Sequence, residues 1–374
     1  MTVTSLPATA TGLITIDLGR IAGNWRALAG LVAPAECGAV VKADAYGLGA
    51  RRVIPTLSAA GCRAFFVATP DEAREARALA PAATIYVLNG LFPDGAATLH
   101  EIAAAPILAS LEEVREWARF ARETGRALAS ALNLATGLNR LGLRGEDVEA
   151  LATEPETLRW LDLTLVMSHL ASADDPGDPR NEEQRCAFER LRTRLPPCRA
   201  SLAASDGLML GARYHFDLVR PGYALYGGQA FHGGPAPVAP VVRVGARILQ
   251  VREVPPGETV GYSGTWTAHR TTRVAVVAAG YADGFARSAS APDGHDGGLV
   301  RLGGRLAPVI GRVSMDLITV DVTDVPGGAR RGDTVELVGP DLPLEAVGQR
   351  AGTIGYEVLT RLGRRFHRVY VEGD

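Results

Sequence analysis

Short apolar runs alternate with amphipathic or alanine-rich stretches along the first 230 residues of the chain. Strand-length runs separated by helix-like segments are typical of a parallel sheet, because neighbouring parallel strands need a long crossover connection. The predicted strands are residues 38–42, 64–68, 83–88, 106–110, 127–134, 161–168, 200–204 and 217–225. The predicted helices include residues 70–79, 111–123, 147–154 and 181–195.

Eight such βα units in about 200 residues favour a closed (β/α)8 TIM-type barrel over an open, doubly wound sheet. Active sites in these barrels lie at the carboxyl ends of the strands. Lys42, His169 and Ser205 lie at predicted strand ends, and Arg220 lies within the eighth predicted strand. We therefore expect these side chains on the active-site face.

The pattern of hydrophobic and polar residues changes beyond residue 240, where Val, Arg and Leu alternate and glycine turns interrupt the alternation. This pattern predicts a second, mostly antiparallel β domain. Its predicted strands include residues 241–254, 272–279, 299–306 and 334–338. The predicted fold class is therefore α/β, with a barrel at residues 1–238 and a β domain at residues 239–374. The first strand segment of the chain is an alternative member of the β domain.

Charge and composition narrow the function classes. The net charge is −2 and basic residues are interspersed with acidic ones, so no nucleic-acid-binding footprint is visible. No apolar run has the length of a membrane span, and the first residues lack the charged start of a signal peptide. The four cysteines have no metal-ligand spacing. We expect a cytoplasmic enzyme without a metal site or a membrane partner.

Lys42 is the only lysine among 39 lysines and arginines. A chain this rich in arginine retains lysine where a guanidinium cannot serve. Arginine stays protonated, whereas a primary amine can lose its proton, attack a carbonyl and form a Schiff base. Lys42 is therefore a candidate covalent or acid/base residue.

A lysine at the barrel mouth, with Ser and Gly after the seventh and eighth strands, predicts a phosphorylated aldehyde held as an imine. Pyridoxal 5′-phosphate fits this description. Ser205 could donate its hydroxyl to the phosphate, and the turn at Gly222 and Tyr223 could offer backbone N–H groups. Arg220 could face the pyridine nitrogen and keep it unprotonated, which would limit side reactions.

Each of these residues also has an ordinary structural explanation. Ser205 could cap a helix, and His169 could be a core histidine. Tyr262 could lie in an ordinary hairpin and have no catalytic role. Turns or caps could account for Arg220, Asp283 and Asp316, and we do not propose the two aspartates as an acid/base pair. The joint occurrence of these residues in this order favours the functional interpretation.

Residues 40–47 (VVKADAYG) are similar to the cofactor-attachment segment of bacterial alanine racemases. The resemblance implies that Lys42 carries the internal aldimine and that Tyr46 touches the phosphate. Residues 136–142 (TGLNRLG) resemble the segment whose arginine, here Arg140, contacts the phenolic oxygen of the cofactor and the substrate carboxylate.

Further segments extend the resemblance along nearly the whole chain. His169 matches the histidine that stacks on the pyridine ring, and residues 216–222 with 225–227 resemble the pyridine-nitrogen and phosphate segment. Residues 261–266 (GYSGTW) resemble the catalytic tyrosine loop. The entrance segments 280–284 and 311–316 and the phosphate-contacting segment 355–357 supply Tyr281, Met315, Asp316 and Tyr356.

The resemblance implies a homodimer in which Tyr262 of one subunit completes the barrel site of the other. Lys42 and Tyr262 would stand on opposite faces of Cα and interconvert L-alanine and D-alanine, which supplies D-alanine for peptidoglycan. By the family's pattern Lys42 serves the D-enantiomer and Tyr262 the L-enantiomer. Both groups need a lowered pKa, and Arg220 and His169 are the expected contributors.

Several positions depart from the family's pattern. Many members have a carbamylated lysine where this chain has Asn133, and no second lysine exists here to be carbamylated. We expect Asn133 to hold Arg140 by a neutral amide contact. Leu48 and Ser201 stand where histidine is frequent, and Ala135 stands where aspartate is frequent.

Three alternatives stay open from the sequence. A fold-related decarboxylase would share the lysine but would need a late catalytic cysteine, and the last cysteine is Cys198. A non-catalytic pyridoxal-phosphate carrier would resemble the barrel alone and would not need the region around Tyr262. A racemase for serine or basic amino acids would share all of these segments.

Overall fold

A computed structural model describes residues 6–229, 231–234 and 237–373. Contacts group the chain into two compact units. The barrel unit comprises Ile21–Leu225 and Gln229–Val238, and the β unit comprises Met1–Arg20, Tyr226–Gly228 and Ala239–Asp374, each within its described residues. No described helix combines the length and the apolar character that a membrane span requires.

The regular elements are numbered in chain order. The strands are β1 (Gly12–Asp17), β2 (Glu36–Cys37), β3 (Ala39–Val40), β4 (Ala64–Val67), β5 (Thr84–Val87), β6 (Ala105–Leu108), β7 (Leu128–Asn133), β8 (Leu161–Met167), β9 (Arg199–Ser201), β10 (Leu218–Val219), β11 (Val242–Val254), β12 (Thr259–Val260), β13 (Trp266–Thr267), β14 (Thr272–Val277), β15 (Leu299–Leu302), β16 (Arg305–Pro308), β17 (Ile318–Asp321), β18 (Thr334–Val338) and β19 (His367–Val371). The helices are α1 (Leu18–Val32), α2 (Lys42–Tyr46), α3 (Ala50–Ala60), α4 (Pro70–Leu79), α5 (Ala96–Ile102), α6 (Leu111–Thr124), α7 (Gly145–Ala152), α8 (Pro155–Leu158), α9 (Arg180–Arg192), α10 (Leu344–Arg350) and α11 (Gly355–Thr360).

Seven strands of the barrel unit form a parallel sheet in the order β3-β4-β5-β6-β7-β8-β9. The next strand, β10, pairs in parallel with β2, which leads into β3. On its other side, the Arg220 N–H donates to the Ala203 carbonyl at 3.0 Å. Strand β10 therefore closes the sheet between β9 and β3, and the predicted TIM-type barrel is confirmed.

The barrel elements follow from simple sequence signals. Strands β4 and β6 are buried at every position, as expected for parallel strands covered on both faces. Helix α4 begins after Thr69, whose hydroxyl accepts the Glu72 N–H at 3.4 Å. Helix α6 begins after Ser110, whose hydroxyl accepts the Glu113 N–H at 3.2 Å. Such caps satisfy N–H groups that have no partner within the helix.

The β unit is built on an eight-stranded sheet in which β11 pairs antiparallel with β1, β14 and β18. Buried positions alternate along the first half of β11, so one face of the strand packs on the core. Strand β1 also pairs in parallel with β19, with Leu13 beside His367. The predicted mostly antiparallel β domain is confirmed, and β1 belongs to its sheet.

Some predicted boundaries were wrong for identifiable reasons. Arg220 follows β10 instead of lying within a longer strand, because Pro221 has no N–H to continue the ladder. Residues 299–306 form the hairpin β15–β16, since Gly303 and Gly304 adopt positive φ values of 57° and 80° at a turn. Helices α1, α3 and α5 were not predicted, although their buried residues recur at helical spacing, as at Ala50, Val53, Ile54 and Leu57 of α3.

Candidate active site

Lys42 lies two residues after the end of β3, at the start of a short turn with a left-handed backbone. Ala43, Asp44, Ala45 and Tyr46 all have φ values between 53° and 55°. Left-handed backbone costs about 1–2 kcal/mol per residue when a side chain is present. Four such residues in succession persist only where the surroundings fix them, and such strain concentrates at functional sites.

Two contacts brace this turn on its far side. The Asp44 carboxylate accepts the Ala50 N–H at 2.7 Å, which ties the turn to the start of α3. The buried Tyr46 ring lies against Gly222, where a Cβ atom would come within 2.3 Å of the Tyr46 hydroxyl. Burial raises the pKa of Tyr46, so its phenol keeps its proton. The turn therefore brings Lys42 and Tyr46 to the loop that follows β10.

The pKa of Lys42 is lowered, first by burial and then by the Arg140 guanidinium, while Glu72 opposes the shift. The expectation that Arg220 and His169 depress this pKa was wrong. Burial, followed by Arg220, Arg140 and Lys42, lowers the pKa of His169 to about 3. A neutral imidazole adds no positive charge, and Arg140 is the cation that lowers the pKa of Lys42.

Arg220 is buried at the point where β10 ends, and only 2% of it is exposed. Its guanidinium donates to the Ser168 carbonyl at 2.7 Å, to the Leu202 carbonyl at 3.4 Å and to the Ser201 hydroxyl. Burial lowers the pKa of Arg220 to about 9, so it remains a cation at neutral pH. This environment excludes a plain surface turn at residues 220–222.

Ser205 gathers backbone N–H groups from the turn after β10. Its hydroxyl oxygen accepts the Gly222 N–H at 3.0 Å and the Ala224 N–H at 3.1 Å. The alternative that Ser205 caps a helix is wrong, because its side chain makes no cap hydrogen bond to the 3-10 segment that follows. Tyr223, between the two donors, is 1% exposed. These groups form a cradle that could receive a phosphate.

His169 and Arg140 complete the barrel half of the site. His169 follows β8, and its carbonyl accepts the Gln184 side-chain amide at 3.0 Å. Arg140 is exposed in the loop after β7, next to Asn139, which has a φ of 54°. Among the described residues no hydrogen bond joins the Asn133 side chain to Arg140, so the expected amide contact is not observed.

In the β unit, Tyr262 lies at the tip of the hairpin formed by β12 and β13 and is 69% exposed. The hairpin interpretation is therefore right, and the exposure of the ring leaves it accessible at the tip. Its neighbour Ser263 has a φ of 62°, and the Ser263 hydroxyl accepts the Arg312 guanidinium at 3.1 Å. Tyr262, Met315 and Asp316 line one cavity of about 460 Å³.

A carboxylate and a guanidinium fix the entrance segments to each other. The Asp283 carboxylate, 3% exposed, accepts the Gly280 N–H at 2.9 Å, as its interpretation as a cap predicts. Arg365 donates to both carboxylate oxygens of Asp283, at 2.8 and 2.7 Å, and to Asp316 at 2.6 Å. The Tyr281 N–H donates to the Ser314 carbonyl at 3.1 Å. Tyr281 and Asp316 are thus held in one network.

Tyr356 is half-buried in α11 of the same unit. The structure brings the predicted residues together as two groups: Lys42, Tyr46, Arg140, His169, Ser205, Arg220, Gly222 and Tyr223 in the barrel unit, and Tyr262, Tyr281, Met315, Asp316 and Tyr356 in the β unit. Sequence reasoning missed Glu72 and Arg365. The order Thr69, Pro70, Asp71, Glu72 is a capping signal that could have drawn attention to Glu72, whereas no local signal marks Arg365.

Comparison with known proteins decides the family. Residues 16–230 match the alanine racemase N-terminal domain and residues 241–370 match the alanine racemase C-terminal domain. The chain belongs to the alanine racemase family. An alanine racemase of Methylobacterium sp. (strain 4-46) is 51% identical over 360 residues, which cover 96% of this chain and 97% of the relative. A catabolic alanine racemase of Agrobacterium fabrum is 45% identical, with coverage of 97% and 93%.

Solved alanine racemases share the fold. The crystal structure of the Bartonella henselae enzyme with covalently bound pyridoxal phosphate is similar with a TM-score of 0.93 and 39% identity. It covers 97% of this chain and 100% of its own. The biosynthetic alanine racemase of Pseudomonas aeruginosa follows with a TM-score of 0.90, 34% identity and the same coverage. The match to both domains removes the decarboxylase and the barrel-only carrier as alternatives.

Replacing Asp283 by Ala should reduce the free energy of unfolding by about 1–3 kcal/mol, because the buried Gly280 N–H loses its acceptor. Urea denaturation measures the change. Asp324→Ala, which removes an exposed pair with Arg270, is the control and should leave the midpoint nearly unchanged. Equal midpoints for the two variants would contradict a structural role for Asp283.

Proposed function

We propose that this protein is a pyridoxal-phosphate-dependent alanine racemase in which Lys42 and Tyr262 move the Cα proton on opposite faces of the substrate. The observation that carries the proposal is the environment of the only lysine. Lys42 begins a strained left-handed turn at the barrel mouth, and its amine has a lowered pKa. Strain together with a perturbed pKa is characteristic of catalytic groups.

The barrel residues fit the proposed cofactor. The N–H groups of Gly222 and Ala224 converge on Ser205, and Gly222 leaves no space for a Cβ atom beside Tyr46. Such a close backbone approach suits a phosphate, and the nearby cations Lys42, Arg140 and Arg220 suit its charge. When bound, the cofactor would withdraw electrons from Cα and so acidify the Cα–H.

Each barrel residue would have a separate task. Lys42 would hold the cofactor covalently. The Ser205 hydroxyl, which accepts the Gly222 and Ala224 N–H groups, would donate its own hydrogen to the phosphate beside Tyr46. Arg220 remains a cation at neutral pH, so it would donate to the ring nitrogen instead of accepting a proton from it. His169 is neutral, so its imidazole could lie against the ring without adding charge.

The lowered pKa of Lys42 increases the fraction of its amine that is neutral at physiological pH. Only the neutral amine can take a proton, so this shift prepares Lys42 to act as a base toward the D-enantiomer. Tyr262 would serve the L-enantiomer from the opposite face. Arg140 would bind the substrate carboxylate, and Tyr281, Met315 and Asp316 would line the entrance.

A homodimer with shared sites is part of the proposal. Tyr262, Tyr281, Met315, Leu317 and Ile354 are all large side chains of the β unit that are between 37% and 69% exposed. Tyr262, Met315 and Leu317 line one cavity and so form a contiguous patch, which is typical of an interaction surface. A second copy of the chain would cover them and would place Tyr262 at the barrel mouth of its partner.

The proposed role is the supply of D-alanine for peptidoglycan in the cytoplasm. Assays with L-alanine, L-serine, L-lysine and L-arginine separate an alanine racemase from a racemase of broader specificity. Conversion of alanine at a much higher kcat/KM than the others supports the proposal, whereas a preference for a basic amino acid would contradict it.

Lys42 should be the sole covalent anchor of the cofactor, because no other side chain carries a primary amine. Borohydride reduction of the protein–cofactor linkage, followed by digestion and mass spectrometry, should place the pyridoxyl group on the peptide that contains Lys42. Lys42→Arg is the control and should give no labelled peptide. Label recovered on another peptide of the wild-type chain would overturn this assignment.

Gly222→Ala should weaken cofactor binding by about tenfold or more, because the new methyl group would displace Tyr46 from the cradle. Equilibrium titration of the cofactor-free protein with pyridoxal phosphate measures the affinity. Gly30→Ala is the matched control, since a Cβ atom there meets nothing within 4 Å. Equal affinities for the two variants would show that the cradle does not hold the phosphate.

Tyr262→Phe keeps the ring but removes the proton carrier, so racemisation should fall by orders of magnitude. Exchange of the Cα hydrogen of D-alanine in heavy water should persist, because Lys42 is unchanged. Tyr214→Phe, which alters a contact with Glu182 on helix α9, is the control. Near wild-type exchange of both enantiomers in the Tyr262→Phe variant would exclude Tyr262 as the second base.

A further inference from the structure

Glu72, near the start of α4, binds the backbone on two neighbouring strand ends. One oxygen of its carboxylate accepts the Ala43 N–H at 2.7 Å, and the other accepts the Ala68 N–H at 2.7 Å. In an ordinary capping box the glutamate would return to the N–H of the capping residue, here Thr69. Glu72 instead reaches past Thr69 to the peptide that follows Lys42.

The contact falls at the start of the strained turn. Ala43 is the first of the four residues with positive φ, so its N–H belongs to the peptide plane where the chain leaves the strand direction. A hydrogen bond to a charged acceptor is stronger than one between neutral groups. The bond to Glu72 therefore offsets part of the cost of the left-handed backbone.

We infer that Glu72 is a positioning residue for Lys42, which fixes the peptide after the lysine and places a carboxylate charge near its amine. The inference deepens the proposed function, because Lys42 is the residue on which that function rests. It concerns properties of the chain itself, so it can be tested in the absence of cofactor and substrate.

Charge gives Glu72 a second effect on the same residue. Arg140 lowers the pKa of Lys42 and Glu72 raises it, while burial acts in the same direction as Arg140. His169, whose pKa is lowered in part by Lys42, is neutral at the pH values of the experiment. Loss of the Glu72 charge should therefore lower the pKa of Lys42 further and increase its neutral fraction at any given pH.

The β6–α6 unit, which lies two units further along the barrel, contains an equivalent glutamate without a lysine. Glu113 follows Ser110 as Glu72 follows Thr69, and its carboxylate accepts the Ala109 N–H at 2.9 Å and the backbone N–H of Leu91. Glu113 thus performs the structural part of the role alone. Glu113→Gln is therefore a matched control for Glu72→Gln. In each variant, an amide side chain takes the place of a carboxylate that binds the backbone of two loops.

The experiment measures the reactivity of Lys42 in the full-length chain after removal of bound cofactor with hydroxylamine. Trinitrobenzenesulfonate modifies neutral amines, and Lys42 carries the only side-chain amine in the chain. Mass spectrometry of the Lys42 peptide gives its modification rate across a pH series and separates it from the N-terminal amine. Hydrogen exchange of the peptide that contains Ala43 reports directly on the hydrogen bond.

Glu72→Gln should increase the modification rate of Lys42 about two- to fivefold at a pH below its titration midpoint, as expected for the loss of one nearby charge. The midpoint should move to lower pH, and the Ala43 amide should exchange faster. Glu113→Gln should leave the rate, the midpoint and the Ala43 amide unchanged, and should accelerate exchange near Leu91 and Ala109 instead.

The inference would be overturned if Lys42 titrated and the Ala43 amide exchanged in Glu72→Gln as they do in the wild type. Equal changes in Glu72→Gln and Glu113→Gln would overturn it as well. If Glu72→Gln does not fold, the double variant Ala43→Gly/Glu72→Gln provides the same measurements, because glycine accepts positive φ without support. These outcomes are independent of the proposed function, which would fail instead through absent racemisation in the wild-type holoenzyme.

Discussion

Positive charge at the barrel mouth is the constraint on which the rest of the site depends. Arg220 is buried, and its described hydrogen bonds go to a hydroxyl and to carbonyl oxygens, which solvate a cation but do not neutralise it. Arg140 and Lys42 add to the same field. Burial and, after it, this field lower the pKa values of His169 and Lys42, and the field also favours a bound phosphate. Removing Arg140 would therefore weaken the shift that lowers the pKa of Lys42.

The turn that follows Lys42 adopts left-handed backbone conformations, which residues other than glycine rarely adopt. The turn after Lys42 uses alanine, aspartate and tyrosine where glycine would be easier, and it relies on Glu72, Asp44 and the packing of Tyr46. Glycine there would relieve strain but would also increase the freedom of the unfolded chain and of the loop. The turn is therefore locally strained, and its side chains hold Lys42 in a fixed position.

Much of the fold and most of the candidate site follow from the sequence. Helix α4 was predicted at its observed bounds, because a threonine cap and a proline mark its start and alanines mark its buried face. The left-handed turn was not predicted, since local propensity opposes it and distant contacts impose it. Arg365 was missed for the same reason: its partners Asp283 and Asp316 are 82 and 49 residues away. Asn133 and Arg140 lie close in sequence, yet the loop after β7 carries the arginine outward.

The pairing of β1 with β19 has a consequence for how the chain is made. Leu13 lies beside His367, so the sheet of the β unit cannot be completed until the last strand is available. In the barrel unit, β3 to β9 each pair with strands that are adjacent in sequence, and the pairing of β10 with β2 then closes the barrel. Domains generally fold as units during synthesis. Strand β1 must therefore wait with an unpaired edge while the ribosome completes the chain. With six residues, β1 offers a wrong partner only a short edge on which to pair.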